Sequence, residues 1–194
     1  MQSKICGIKD VKSLKYIINH KYPPKFIGFI CNYPKSKRFV RLKFLKKLFY
    51  IKRKNINFVS VLVNPKETLR IKKKYKKKII TAITIKNKID IKQYKKYIKI
   101  SDIILFDSKG YEKSVSFNHS YIKNIYCPVK KMLAGNIKFN SKLDKFNKIT
   151  DIIDLSGSLE TSGMKDCKKI DIFLKNIKKL NDKIKKKNSI NRSA

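Results

Sequence analysis

The stretch Ser3–Ile8, SKICGI, is a short apolar run that ends in a cysteine and a glycine. Similar runs recur along the chain, each followed by a polar turn and then by a helical pattern. They are rich in β-branched residues and continuous rather than alternating, which is typical of parallel strands covered on both faces. The predicted strands are 3–8, 25–31, 57–63, 79–85, 102–108, 131–137 and 151–157.

Between these runs, apolar residues recur at helical spacing. Asp10 and Asp166 are predicted to cap the first and last helices, and Asn140 to cap another. The apolar positions are Leu14, Ile17 and Ile18; Leu42, Leu45 and Leu48; Ile91, Tyr94 and Ile98; Leu143 and Phe146; and Ile170, Phe173, Leu174 and Ile177. This alternation of strand and helix predicts an α/β fold with a parallel sheet.

Two α/β architectures fit this rhythm, a doubly wound sheet and a (β/α)8 barrel. A dinucleotide-binding sheet would carry G-x-G-x-x-G after its first strand, and no such motif follows SKICGI. Chemically distinctive residues instead end several predicted strands, as they do in barrel enzymes: Cys6, Asn64, Asp107, Gly135 and Ser156. The sequence therefore predicts a TIM-type barrel.

The composition is strongly basic, with 50 Lys and Arg against 13 Asp and Glu and a formal net charge of +37. Such a charge would attract nucleic acid or an anionic membrane. Nearly all the cations are lysines, however, whereas arginine has the forked donor suited to phosphates and base edges. Because Ile, Asn, Tyr and Phe are also abundant, we interpret the charge as A/T-rich codon bias on a solvated surface, with a polyanion partner as the alternative.

A chain of 194 residues is expected to form one domain, residues 1–180, followed by a lysine-rich tail, 181–194, that is frayed or disordered. No stretch approaches the roughly 18 apolar residues of a membrane span, and no signal peptide is recognisable. The four scattered cysteines have neither metal-site nor disulfide spacing. These features predict a cytoplasmic protein without a metal site.

Several segments occur in an order that is informative: KICGI at 4–8, IGFI at 27–30, YPKSKRFV at 33–40, VLVNP at 61–65, ILFDS at 104–108, MLAGNI at 132–137 and DLSGSLETSGMKD at 154–166. Together they resemble the N-(5'-phosphoribosyl)anthranilate isomerase family of tryptophan biosynthesis. The resemblance implies a (β/α)8 barrel and an Amadori rearrangement of a phosphosugar. In that reaction an acid protonates the furanose ring oxygen and a base removes the C2' proton. It implies no metal and no organic cofactor.

By position, the resemblance makes Cys6 the general base and Asp107 the general acid. The thiol would be held partly as thiolate by the lysines of the barrel mouth, and burial would raise the pKa of the carboxyl. Arg38 would pair with the anthranilate carboxylate. Two loops would bind the phosphate through backbone N–H groups, at Gly135, Asn136, Ser156, Gly157 and Ser158.

Each of these residues also has a purely structural interpretation. Cys6 could be a buried core cysteine, Asp107 the cap of a turn and Arg38 a solvated side chain. Glycine suits any tight loop. His20 and His119 receive no role.

The sequence departs from the family in two places. Between 57–63 and 79–85, one helix and the fourth strand are missing, with the family's Q-L-H-G motif. Because closure links strand number, tilt and shear, the barrel is expected to be open there, closed with altered stagger, or covered by a neighbouring chain, and an open edge would favour a homo-oligomer. The glycine-rich loop after the acid is reduced to 109–117, and Asn136 replaces a glycine, which Asn tolerates because it accepts positive φ.

Three functions remain open from the sequence: an active isomerase, a decayed isomerase-like protein, and a basic module that binds RNA or another polyanion. Retention of one residue for each chemical role favours the first over the second. The absence of an arginine stripe or an aromatic stacking platform disfavours the third, so neither nucleic acid nor a membrane is the expected partner.

Overall fold

The computed structural model describes residues 1–31, 33–51, 55–59, 61–62, 70, 72–74, 78–108 and 116–191. Its strands are β1 (Gln2–Cys6), β2 (Phe26–Gly28), β3 (Asn57–Val59), β4 (Val61–Leu62), β5 (Ile80–Ile85), β6 (Ile103–Ser108), β7 (Lys130–Leu133) and β8 (Ile152–Leu155). These eight strands form one sheet in the order β3-β2-β1-β8-β7-β6-β5-β4, and each pairing is parallel. A small antiparallel hairpin of β9 (Glu160–Thr161) and β10 (Met164–Lys165) lies apart from this sheet.

The two ends of the sheet lie on one stretch of chain, 57–62. β3 pairs with β2, where Phe26 lies opposite Asn57, and β4 pairs with β5, where Val61 lies opposite Ile80. The sheet therefore curves back on itself as a barrel. The part of the chain described between β4 and β5 contains no further strand, so the prediction of a barrel without the family's fourth strand is confirmed. β4 and β5, which flank the position of the missing strand, pair directly with each other.

The α-helices whose bounds lie within the described ranges are α1 (Val11–Asn19), α2 (Leu42–Phe49) and α3 (Cys167–Ile190), and residues 70 and 72–74 are helical as well. Asp10 caps α1 by accepting the Ser13 N–H at 2.7 Å, and Asp166 caps α3 by accepting two backbone N–H groups. Both predicted caps are confirmed, because a carboxylate satisfies backbone donors that have no partner within the helix. None of the helices in the described ranges is long and apolar enough to span a membrane.

Two segments predicted as α-helices are short 3-10 helices, Asp90–Lys96 and Leu143–Phe146. They still bury the predicted apolar side chains, including Ile91, Tyr94, Leu143 and Phe146. The predicted cap at Asn140 is wrong, since the second of these helices begins after Lys142 without a side-chain cap.

The C-terminal segment differs from the frayed tail that the sequence suggests, because α3 continues to Ile190. Its first residues beyond 180 are tied to the rest of the fold. The side chain of Asn181 accepts a hydrogen bond from the Met1 amine at 2.8 Å and donates to the Met1 carbonyl at 3.0 Å, and Lys183 pairs with Asp144.

Side chains alternate along each strand between the barrel interior and the helix layer. The interior holds a small apolar cluster of Ile80, Ile103, Leu105, Met132, Ala134 and Ile152, whereas Ile5, Ile104 and Phe106 belong to the larger cluster under the helices. The inward face of β1 therefore carries Lys4 and Cys6, and that of β6 ends with Asp107. Polar side chains thus lie above an apolar floor at the carboxyl ends of the strands.

Candidate active site

Cys6 is the last residue of β1, and it lies opposite Gly28 of β2. A Cβ atom at position 28 would be 2.7 Å from Cys6 Sγ and 3.1 Å from Lys4 Cε. The first contact is shorter than those that Cβ atoms make, and the second is tight, so the glycine leaves the space that the thiol and the lysine stem occupy.

Lys4 forms an ion pair just below the thiol. It is fully buried, it lies opposite Asp154 of β8 in the sheet register, and its Nζ donates to Asp154 Oδ2 at 2.5 Å. Burial alone would lower the pKa of Lys4, but the adjacent carboxylate outweighs burial and raises it above its ordinary value. The ammonium is therefore charged. Asp154 Oδ1 is buried and has no hydrogen-bond partner among the described residues.

Burial raises the pKa of the Cys6 thiol above its ordinary value, although the ammonium groups of Lys4 and Lys165 act to lower it. Asp154 adds to the rise. The thiol is therefore mostly protonated at neutral pH. The sequence predicts that lysines hold the thiol partly as thiolate. Two lysines do act on it, but the loss of water around the sulfur has the larger effect on its pKa.

Asp107 lies near the end of β6 and accepts the backbone N–H of Ser108 at 2.8 Å. Burial raises the pKa of Asp107 to about 6, and the charge of Asp154 adds to this, while the Ser108 N–H and Lys4 oppose it. The sequence also predicts that the pKa of Asp107 is raised by burial. A carboxyl with this pKa is partly protonated near neutrality, which suits a general acid.

Arg38 lies on the same rim and makes a bidentate ion pair. Its Nε and Nη2 donate to the two oxygens of Glu160 at 2.7 and 2.9 Å, and Lys165 Nζ donates to Glu160 Oε1 at 2.6 Å. The three side chains are only 13%, 11% and 2% exposed, respectively. Burial would raise the pKa of Glu160, but the two cations hold it below its ordinary value.

Two glycines make room for the Arg38 side chain. A Cβ atom at Gly7 would overlap Arg38 Cδ, and one at Gly157 would lie 3.1 Å from Arg38 Nη2. Gly7 also has φ 75°, which favours glycine. Arg38 therefore lies across the end of β1 and beside the loop that follows β8.

The loop after β7 has two consecutive residues with positive φ, Gly135 at 92° and Asn136 at 53°. This agrees with the expectation that Asn is tolerated there in place of glycine. His119, which has no role in the sequence analysis, donates from Nε2 to the Gly135 carbonyl at 3.0 Å. Its ring packs edge-on against Phe117 and Phe146, so the imidazole fixes this loop from behind.

The loop after β8 is tied to β1, because Ser156 Oγ donates to the Cys6 carbonyl at 3.1 Å. Within the described ranges, the hydroxyl groups of Ser108 and Ser158 are buried without a hydrogen-bond partner. Unpaired buried polar atoms are rare in folded proteins. These two lie in and beside the segments predicted to hold phosphate, and each can donate to a phosphate oxygen.

A cavity of about 360 Å³ lies at the opposite end of the barrel, lined by residues that include Met1, Pro23 and Asn55. None of the candidate site residues lines it. The cavity is therefore separate from the chemistry, which in barrel enzymes occurs at the carboxyl ends of the strands.

A family model of N-(5'-phosphoribosyl)anthranilate isomerase matches residues 65–176, more than half of the chain. The chain belongs to this isomerase family. The enzyme of that name from Thermoanaerobacter pseudethanolicus is 26% identical over 203 residues, with 90% of this chain and 97% of the relative covered. The crystal structure of phosphoribosyl anthranilate isomerase from Thermotoga maritima has a TM-score of 0.76 at 22% identity and covers 92% of this chain and 98% of that chain.

A solved structure of phosphoribosyl anthranilate isomerase in complex with reduced 1-(o-carboxyphenylamino)-1-deoxyribulose 5-phosphate is similar as well. It has a TM-score of 0.72 at 21% identity and covers 92% of this chain and 98% of that chain. The described fold is thus that of the isomerase barrels, despite the missing strand.

The structure brings the predicted isomerase residues to one rim: Cys6, Arg38, Asp107, Gly135, Asn136, Ser156, Gly157 and Ser158. Sequence reasoning missed the side chains that hold them, namely Lys4, His119, Asp154, Glu160 and Lys165. Three of these five lie within the DLSGSLETSGMKD motif, and Lys4 begins KICGI, so motif membership was the available signal. Asn64 and most of the reduced glycine loop, 109–115, lie outside the described residues.

Proposed function

We propose that this chain is a phosphoribosylanthranilate isomerase. It converts N-(5-phosphoribosyl)anthranilate to 1-(2-carboxyphenylamino)-1-deoxyribulose 5-phosphate by an Amadori rearrangement in tryptophan biosynthesis. Family membership supports the reaction, and the ligand of one solved relative is a reduced form of this product. The observation that carries the proposal is that Cys6 and Asp107 lie at one end of the barrel interior, where the same Lys4–Asp154 pair acts on both.

Asp107 is the general acid in this proposal. In its neutral form it donates a proton to the furanose ring oxygen, and the ring opens to a protonated Schiff base. A pKa of about 6 keeps roughly one carboxyl in ten protonated at pH 7. The positive charge on the Schiff base then acidifies the C2' hydrogen.

Cys6 is the general base. Its thiolate removes the C2' proton, and the resulting enol rearranges to the ketone. A buried thiolate is poorly solvated, and its raised pKa makes it a stronger proton acceptor once it forms. One proton is given and one is taken, so the isomerisation needs no metal or organic cofactor.

The substrate is held at its two ends. Arg38 binds the anthranilate carboxylate in competition with Glu160, whose carboxylate already occupies the guanidinium fork. The phosphate lies against the two loops after β7 and β8. Backbone N–H groups of Gly135, Asn136 and residues 156–158 donate to it.

The proposal places the enzyme in the cytoplasm, with a homo-oligomer as a further prediction. The alternatives are a decayed isomerase without turnover and a basic protein that binds RNA. An arrangement that supplies an acid, a base and a carboxylate clamp favours the active enzyme over both.

Complementation of a tryptophan auxotroph that lacks this isomerase tests the proposal. Wild-type protein should restore growth, and Cys6→Ala and Asp107→Asn should each abolish it. Cys127→Ala and Asp102→Asn are matched controls of the same residue types outside the site, and both should support growth. Growth with both site variants would refute the assigned acid and base, whereas folded wild-type protein that gives no growth would favour the decayed isomerase.

A further inference from the structure

The ion pair of Lys4 and Asp154 lies at the site, but the reaction scheme does not use it. Lys4 is fully buried inside the barrel, two residues before Cys6 on the same face of β1. Burying an ammonium costs several kcal/mol unless it is well paired, and apolar replacements of buried ion pairs are often as stable. Since apolar side chains fill the neighbouring interior, packing alone does not require a charge here.

The carbon that bears the Lys4 ammonium lies beside the Cys6 thiol. The point that a Cβ of Gly28 would occupy is 2.7 Å from Cys6 Sγ and 3.1 Å from Lys4 Cε. Since both distances start from one point, the sulfur and this carbon lie within about 6 Å of each other, the range in which one charge acts strongly on another group. Asp154 fixes the far end of the lysine from the neighbouring strand.

We propose that Lys4 is a positioning residue for Cys6: its ammonium, anchored by Asp154, lies beside the thiol across Gly28 and stabilises the thiolate that removes the C2' proton. The inference rests on the proposed role of Cys6 as the base. Lys4 itself neither contacts the substrate nor exchanges a proton with it.

The other charged groups that act on the Cys6 thiol come from two elements. Asp154 lies on β8 and Lys165 on β10, and Glu160 of β9 forms an ion pair with Lys165. After burial, Lys4 has the largest influence on the thiol pKa and lowers it; Asp154 raises it and Lys165 lowers it. Removing Lys4 should therefore raise the pKa of the thiol, and removing Asp154 should lower it.

The rate of Cys6 alkylation by iodoacetamide, followed from pH 6 to 11 by peptide mass spectrometry, measures the thiolate directly. The apparent thiol pKa should decrease in the order Lys4→Met, then the double variant Lys4→Met/Asp154→Asn, then wild type, then Asp154→Asn. Loss of a neighbouring opposite charge corresponds to about 1–3 pH units. At pH 7.5, Lys4→Met should therefore slow alkylation of Cys6 at least about tenfold, and kcat/KM should fall with the thiolate fraction.

Lys12→Met, an exposed substitution of the same type, should leave the Cys6 profile unchanged, and the profile of Cys127 should not move in any variant. General destabilisation would shift all variants in one direction, so acceleration by Asp154→Asn is diagnostic. If Lys4→Met does not fold, the inference is tested by the order of the apparent thiol pKa in the double variant, the wild type and Asp154→Asn. An unchanged thiol pKa in the double variant, or slower alkylation in Asp154→Asn, overturns the inference. Alkylation needs no turnover, so inactive wild-type protein with the expected order would refute the proposed function alone.

Discussion

Replacing Asp107 by asparagine should stabilise the folded protein at neutral pH while it removes the acid. The pKa of this carboxyl is raised from 3.8 to about 6 by burial, so the native state binds the proton more tightly than the unfolded chain does. Between these two values the native state carries more protons, and stability falls as the pH rises. Above about pH 6 the buried carboxyl is ionised, and the full cost of burying its charge is subtracted from the free energy of unfolding. This cost is about 3 kcal/mol, at 1.36 kcal/mol per pKa unit.

Asparagine avoids this penalty because it has no charge to bury. Its amide oxygen can still accept the Ser108 N–H that Asp107 accepts at 2.8 Å. Urea unfolding from pH 4 to 8 should show Asp107→Asn more stable by up to about 3 kcal/mol at pH 7.5, with the advantage vanishing towards pH 4. Against a typical total of about 5–15 kcal/mol, this difference is readily measured.

Asp90→Asn is a control of opposite sign. Asp90 accepts the backbone N–H groups of Lys86 and Asn87, and these bonds lower its pKa. Its ionised form therefore stabilises the fold above the unfolded pKa, so this variant should be less stable than wild type at pH 7.5. If Asp107→Asn gave no gain at pH 7.5, or the same gain at pH 4, the carboxyl would not be held in an unfavourable ionised state, and the argument for a raised pKa would fail.

Three further predictions concern activity. Below about pH 6, kcat/KM should rise tenfold per pH unit with the Cys6 thiolate and then level off as Asp107 ionises; a profile without this break would contradict the raised pKa of Asp107. His119→Phe removes the donor to the Gly135 carbonyl, so steady-state kinetics should show KM raised about three- to tenfold with little change in kcat, whereas His119→Gln keeps a donor. Gly28→Ala places a methyl group 2.7 Å from Cys6 Sγ, so kcat should fall at least about tenfold; unchanged kcat would mean that the thiol has room to move.

The parts of the site that the sequence predicts are those that depend on local pattern. Cys6 and Asp107 end β-branched runs, and the parallel arrangement then brings strand ends to one rim. The caps at Asp10 and Asp166 follow from the same local rules. Positive φ at Asn136 was predictable because few residues other than glycine accept it.

The parts that could not be predicted depend on register and burial. Lys4 and Asp154 are 150 residues apart in sequence, and Arg38 and Glu160 are 122 apart, so only the sheet and its loops bring each pair together. Whether the pKa of Cys6 is raised or lowered also cannot be predicted without the structure. Counting lysines predicts a lowered value, but desolvation of the sulfur outweighs the two ammonium groups that reach it.

The position of the missing strand explains why the site survives without it. Cys6, Asp107 and the two loops proposed to bind phosphate come from β1, β6, β7 and β8, which are contiguous in the sheet. The direct β4–β5 pairing lies on the other side of the ring, separated from β1 by β2 and β3 and from β6 by β5. Since closure couples strand number to tilt and shear, the missing strand is accommodated where β4 pairs with β5. The strands β1, β8, β7 and β6 keep the parallel pairings that bring the proposed base and the proposed acid to one rim.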